Sequence, residues 1–126
     1  MTSSFKEFVP LQKSPIEKLL ISADFFSRQK KYDEAIEVYK SVLEKEIGNR
    51  EALKKMGECL FFTKKFEAAL RCFEAFEKLF QTEEAKVWSY ACLVHLKRDA
   101  DARKIFPDNK AAAPLLKESG IEIDYY

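Results

Sequence analysis

Two stretches of the chain repeat one another 34 residues apart, and this limits the possible folds more than any other feature. Lys31-Tyr32-Asp33-Glu34-Ala35-Ile36-Glu37-Val38-Tyr39 lies over Lys65-Phe66-Glu67-Ala68-Ala69-Leu70-Arg71-Cys72-Phe73, aromatic over aromatic at both ends and Ala35 over Ala69. Upstream, Leu19, Ala23 and Phe26 lie over Leu53, Gly57 and Leu60. A repeat of this length is one supersecondary unit that cannot bury its apolar face alone, so it stacks on its neighbours.

The spacing within each unit is helical. Tyr32, Ala35, Ile36, Tyr39, Val42 and Leu43 share one helical face, and so do Phe66, Ala69, Leu70, Phe73 and Phe76. The pattern predicts helix pairs at about 16–29 with 32–46, and 50–63 with 66–80. Ser14-Pro15-Ile16-Glu17 reads as a helix start, with serine as N-cap, proline in the first turn and glutamate in the capping-box place. Gly48-Asn49 reads as a helix end. Ala23, Gly57, Ala35 and Ala69 are small enough to let helices approach closely, with aromatics filling the space beside them.

A third unit follows in weaker form. Val87, Tyr90, Ala91 and Val94 fit its first helix, and a short second helix is expected near 100–106 with Ala102, Ile105 and Phe106. The small residue expected at 103 is Arg103, so the phase slips by one. Pro107 ends this helix. A capping helix at about 109–118, with Leu115 and Leu116, is expected over the open end. The organisation expected is an arm at 1–14, a helical domain at 15–118 and an extended tail at 119–126. The fold class is therefore all-α, a helix-turn-helix solenoid of about three repeats with a C-terminal capping helix.

Composition agrees. The 126 residues suffice for one domain, and 47% apolar with 34% charged residues describes a globular chain. Three glycines and four prolines suit helices better than tight turns, while eleven phenylalanines supply bulk between helices. A formal net charge of +1 gives no general attraction to nucleic acid, and Lys30-Lys31 and Lys64-Lys65 read as solvated turns. Cys59, Cys72 and Cys92, an odd count without a basic-apolar leader, predict reduced thiols and a cytoplasmic location. No apolar run reaches membrane-spanning length, so no membrane insertion is expected.

The 34-residue period with Tyr/Phe–x–x–Ala–x–x–x–Tyr/Phe resembles the tetratricopeptide repeat (TPR) family over roughly 16–106. Two departures stand out: Lys30 and Lys64 replace the family's turn glycine, and Ile47 and Gln81 its closing proline. The resemblance implies a curved array whose first helices line a concave side. The places facing that groove would be Leu20, Asp24, Ser27, Lys54, Glu58, Phe61, Phe62, Trp88, Cys92 and His95. Phe61, Phe62 and Trp88 would accept apolar side chains of a helix or peptide, and Asp24 and Glu58 a basic group. Burial of the same aromatics by the cap or the N-terminal segment is the competing reading. Because neighbouring residues on a helix point apart, Phe61 and Phe62 cannot both enter one interface.

Within the family, the carboxylate clamp of heat-shock co-chaperones is disfavoured. Its places fall on Leu20, Asp24, Lys55 and Ser89, and Asp24 would repel a carboxylate. The stretch Trp88 to Leu96, the size and the short last repeat are similar to the small type III secretion chaperones of needle subunits. That similarity implies a groove for an amphipathic helix, with a small helical co-chaperone as a further partner.

No catalytic, metal or cofactor site is expected. Cys92 and His95 share a helical face, and with Cys59 and Cys72 they make four potential zinc ligands, but the spacing fits no zinc motif. A Cys–His nucleophile lacks an identifiable base, orienting group and oxyanion site. Glu34, Glu37, Glu44 and Glu46 alternate with lysines as a solvated face. The expected function is non-enzymatic: a chaperone-like module holding a helix or peptide of another protein in its groove. The alternative is an adaptor or structural subunit that forms a homodimer or docks through outer faces carrying Tyr39, Phe73 and Phe80.

Overall fold

The computed structural model describes residues 13–123. Within them lie seven α-helices: α1 (Pro15–Arg28), α2 (Tyr32–Lys45), α3 (Arg50–Phe62), α4 (Phe66–Phe80), α5 (Glu83–His95), α6 (Asp99–Ile105) and α7 (Asn109–Glu118). No strand occurs among the described residues. Each helix packs on the next along α1 to α6, and α7 returns onto α5. Most of the expected arm, and the last three residues of the expected tail, lie outside the described residues. The rest of that tail is not free: Ile121 is buried in the main core.

The first helix of each pair starts on a side-chain cap. Ser14 Oγ accepts from the Glu17 amide at 3.1 Å, Asn49 Oδ1 from Ala52 at 2.9 Å and Thr82 Oγ1 from Ala85 at 3.3 Å. Each cap satisfies an amide that has no partner within the helix. The second helix follows a tight turn with no side-chain cap. Lys30, Lys64 and Lys97 take left-handed φ of 60°, 64° and 61°, and the next amide reaches back to the carbonyl of Phe26, Leu60 or Leu93 at 2.8 to 2.9 Å. Lysine thus adopts the conformation for which a glycine is usual, at a cost of about 1–2 kcal/mol each.

These turns set the register. Lys30 and Lys64 are 34 residues apart, but Lys64 and Lys97 only 33. The one-residue slip therefore lies before α5, not between α5 and α6 as the sequence suggested. Its cause is the junction after α4. Where Glu46 to Asn49 join α2 to α3, a single left-handed Gln81 ends α4 and Thr82 caps α5 at once.

The slip changes how the third pair packs. Gly57 faces Phe73 so closely that a Cβ there would stand 2.7 Å from the ring tip. Ala23 and Tyr39, both fully buried, hold the matching places in the first pair. In the third pair the matching places hold Tyr90 and Phe106, two rings meeting edge to face at 5.3 Å. A large residue at the close-approach position holds the two helices apart, and α6 ends at Ile105 just before Pro107. Asp108 then caps α7, accepting from the Ala111 amide at 2.8 Å, and Tyr90 Oη donates to Asn109.

Candidate functional site

The first helices sit close together. Cys59 Sγ of α3 lies 3.8 Å from Ser27 Oγ of α1, the Phe61 and Trp88 rings meet edge to face at 5.2 Å, and Lys54 pairs with Glu84 at 3.0 Å. The second helices α2 and α4 are instead parted by a groove of about 620 Å³ floored by Ile36, Leu53, Met56 and Leu60. The side on which α1 and α3 meet is the one that the repeat resemblance makes the inner face of the array.

On that inner face, Leu20, Asp24 and Ser27 of α1 and Lys54 and Glu58 of α3 are all half-buried. A shallow groove between the two helices is lined by Leu20, Ile21, Asp24, Arg28, Glu51 and Lys55, among others. Some of the charges here are already engaged. Asp24 pairs with Arg28 at 3.0 Å, and Lys54 with Glu84. Glu58 has no ion pair or hydrogen bond among the described residues. Burial raises the pKa of its carboxyl, and the nearby Lys55 and Lys54 offset this in part.

The aromatic pair divides as helical geometry requires. Phe61 is buried, ringed by Phe62, Phe66, Trp88 and His95. Phe62 is 47% exposed, stacked on Tyr32 at 5.3 Å and edge-on to Trp88 at 6.0 Å. It stands at the rim of the inner face with much of its surface in solvent.

The third repeat departs from expectation. Trp88 is 3% exposed and stacks on Phe73 at 5.2 Å, while Cys92 is 0% exposed. α5 is enclosed by α4, α6 and α7, so every residue from Val87 to Val94 is interior whichever way it points. Phe61, Trp88 and Cys92 are therefore part of the packed interior beneath the inner face. His95 remains half-buried, its ring flat on Phe66 at 4.3 Å. The outer-face alternative meets the same obstacle, since Tyr39 and Phe73 are buried and only Phe80 is partly open. The one-residue slip puts Val87, Ala91 and Val94 in register with Leu20, Asp24 and Ser27, and these are buried as well, so no spacing in the sequence marks Trp88 and Cys92 as interior.

The three thiols are buried and free. Burial pushes Cys72 up to about 11 and Cys92 up to about 12, and raises Cys59 against the opposing pull of the Ser27 hydroxyl. At neutral pH all three are protonated, so a Cys92–His95 nucleophile has no thiolate to use. The folded-state pKa values lie above the ordinary value of 9.0. The stability these thiols contribute is therefore complete below pH 9 and is lost as pH rises, because the unfolded chain releases its protons first. Denaturation midpoints measured from pH 8 to 11 should fall above pH 9, with each thiol contributing a slope of up to about 1.4 kcal/mol per pH unit. Cys92→Ala should flatten the fall; an unchanged slope would place the titration elsewhere.

Among the described residues no group of histidine, cysteine and carboxylate side chains is placed to hold a metal ion, and no helix is long and apolar enough to cross a membrane. Compared with protein families, residues 27–90, half of the chain, match the tetratricopeptide repeat. A comparison with curated proteins returns no match.

Proposed function

We propose, from the premise that this chain belongs to the tetratricopeptide repeat family, that it holds a segment of another protein against the inner face of its first two repeats. The family's repeats generally mediate protein–protein interaction. The observation that carries the reading is the pairing of a half-exposed Phe62 with an unpaired, half-buried Glu58 on the same helix. An apolar side chain of the partner covers Phe62, and a lysine or arginine of the partner neutralises Glu58. Leu20, Ile21, Asp24, Ser27 and Lys54 complete the contact, and His95 borders it. An occupant that satisfies a half-buried carboxylate gains more than a rim charge does, because Glu58 already bears the cost of partial desolvation.

A chaperone role is the finer form of this reading, with an amphipathic helix as occupant. The likeness to needle-subunit chaperones drew on Trp88 to Leu96, and most of that stretch packs inside the domain. What supports a chaperone is thus the inner face of α1 and α3 alone, with the occupant's identity open to experiment.

The test is capture from a native extract with wild type, Phe62→Ser and Glu58→Lys, quantified by mass spectrometry. Phe62 is half-exposed and the half-buried Glu58 carboxyl holds no fold contact by ion pair or hydrogen bond among the described residues, so each variant should stay folded, which its melt checks. Phe61→Ser would be a poor probe, because it removes a buried ring. A protein recovered with wild type and reduced at least about tenfold in both variants supports the reading. Equal recovery with all three removes the inner face as the site.

A further inference from the structure

The inner repeats show what the first repeat lacks. By the turn hydrogen bonds, Phe25 of α1 stands where Cys59 stands in α3 and Cys92 in α5. Cys59 is 1% exposed and Cys92 0%, each buried where the repeat before it packs: Cys59 Sγ lies 3.8 Å from Ser27 Oγ, and Cys92 sits within the electrostatic reach of Cys72 and Glu74 of α4. Phe25 is 59% exposed, and Ile21, one turn earlier on the same flank, is 52% exposed. A second contact recurs in the same register. Lys65 pairs with Asp33 at 3.6 Å and Arg98 with Glu67 at 3.7 Å, each joining the start of one second helix to the first turn of the preceding one. The matching cation in the first repeat is Lys31, which has no ion pair among the described residues.

The flank of α1 thus continues an interface that the molecule builds twice inside itself, α2 on α3 and α4 on α5. We propose that this flank docks an amphipathic helix of a partner protein, lying as α2 lies on α3, with its apolar stripe over Ile21 and Phe25 and a carboxylate in its first turn beside Lys31. Phe25 is larger than the cysteines it matches, so the docked helix presents a small residue opposite it, as Gly57 does to Phe73. This contact lies on the end of the array and meets the inner face only at Ile21; Phe25 and Lys31 lie outside the inner-face groove, so variants there and variants at Phe62 and Glu58 report on the two sites separately.

The experiment titrates the full chain, labelled with 15N, with a peptide of the Phe66–Phe80 sequence, which is apolar on one side and carries Glu67 in its first turn. Saturable amide shifts are expected at Ile21, Phe25 and Lys31. Phe25→Ser should weaken binding about tenfold or more, and Lys31→Glu about two- to fivefold. A Glu67→Lys peptide should regain affinity for the Lys31→Glu chain. Absence of saturable shifts at these residues, or equal affinity in the charge-reversed combinations, overturns the proposal. It is also overturned by a dimer in light scattering that Phe25→Ser dissolves, which gives the flank to a second copy. Tighter peptide binding by Phe8→Ser overturns it too, because it gives the flank to the chain's own N-terminal segment.

Discussion

Trp88→Ala is expected to lower stability by about 3–5 kcal/mol, the cost of removing a large buried aromatic from a packed core. In a domain of this size that moves the thermal midpoint down by on the order of 10 °C or more. The ring stacks on Phe73 and meets Phe61 and Phe62 edge to face, so its loss leaves three neighbours without a partner surface. Its indole Nε1 is buried with no hydrogen-bond partner among the described residues. Trp88→Phe removes that orphan donor while keeping a ring, and should recover most of the loss. Calorimetric melts of the three proteins check this. A Trp88→Ala chain that melts within about 1 kcal/mol of wild type would mean that the indole is not the interior residue described here. The contrast with Phe62→Ser matters for function: one substitution should damage the fold, the other only what binds to it.

Gly57→Ala should also destabilise, although alanine is the better helix former by about 0.8–1 kcal/mol. The added Cβ meets Phe73 Cζ at 2.7 Å and Cε2 at 2.9 Å. Phe73 is 1% exposed and held by the Trp88 stack, so the ring cannot swing aside without disturbing a second ring. Overpacking of this kind costs about 1–3 kcal/mol, and it outweighs the propensity gain. Phe73→Leu in the same chain makes room for the Cβ. The double variant should therefore be less destabilised than the two single effects added together, by about 1 kcal/mol. Chemical denaturation of the four proteins gives the coupling directly, and strict additivity would show that Gly57 and Phe73 do not touch.

Much of the fold was legible because the helix pairs are specified locally. Tyr32, Ala35, Ile36 and Tyr39 declare a buried face by spacing alone, and Ser14, Asn49 and Thr82 are residue types that cap helices wherever they precede an apolar run. The turns were harder to read. A glycine would have marked each left-handed position, but lysine stands at all three, so only the repeat spacing located them. The slip before α5 was seen one helix too late because Arg103 was the first visible mismatch. Gln81 gives no residue-type signal that it will close α4 in the left-handed region.

The inner face was legible in part. The phase of Asp24, Glu58 and Phe62 was legible: Phe62 is half-exposed and Asp24 and Glu58 are half-buried, since α1 and α3 have nothing stacked over that side among the described residues. Trp88 and Cys92 were not, because the exposure of α5 depends on segments distant from it in sequence.

The sequence by itself determined the helical pairs, their close approach at Ala23 and Gly57, and the stacking of unit on unit, because these follow from period, size and propensity within about 34 residues. Only the tertiary structure decided which side chains a partner can reach. Tyr90 parts the third pair, α7 and Ile121 close over the end that this leaves, and Phe25 stays bare where no preceding helix lies among the described residues. Burial is a property of what lies across from a residue, and here what lies across is set by packing between units, not by the pattern within one.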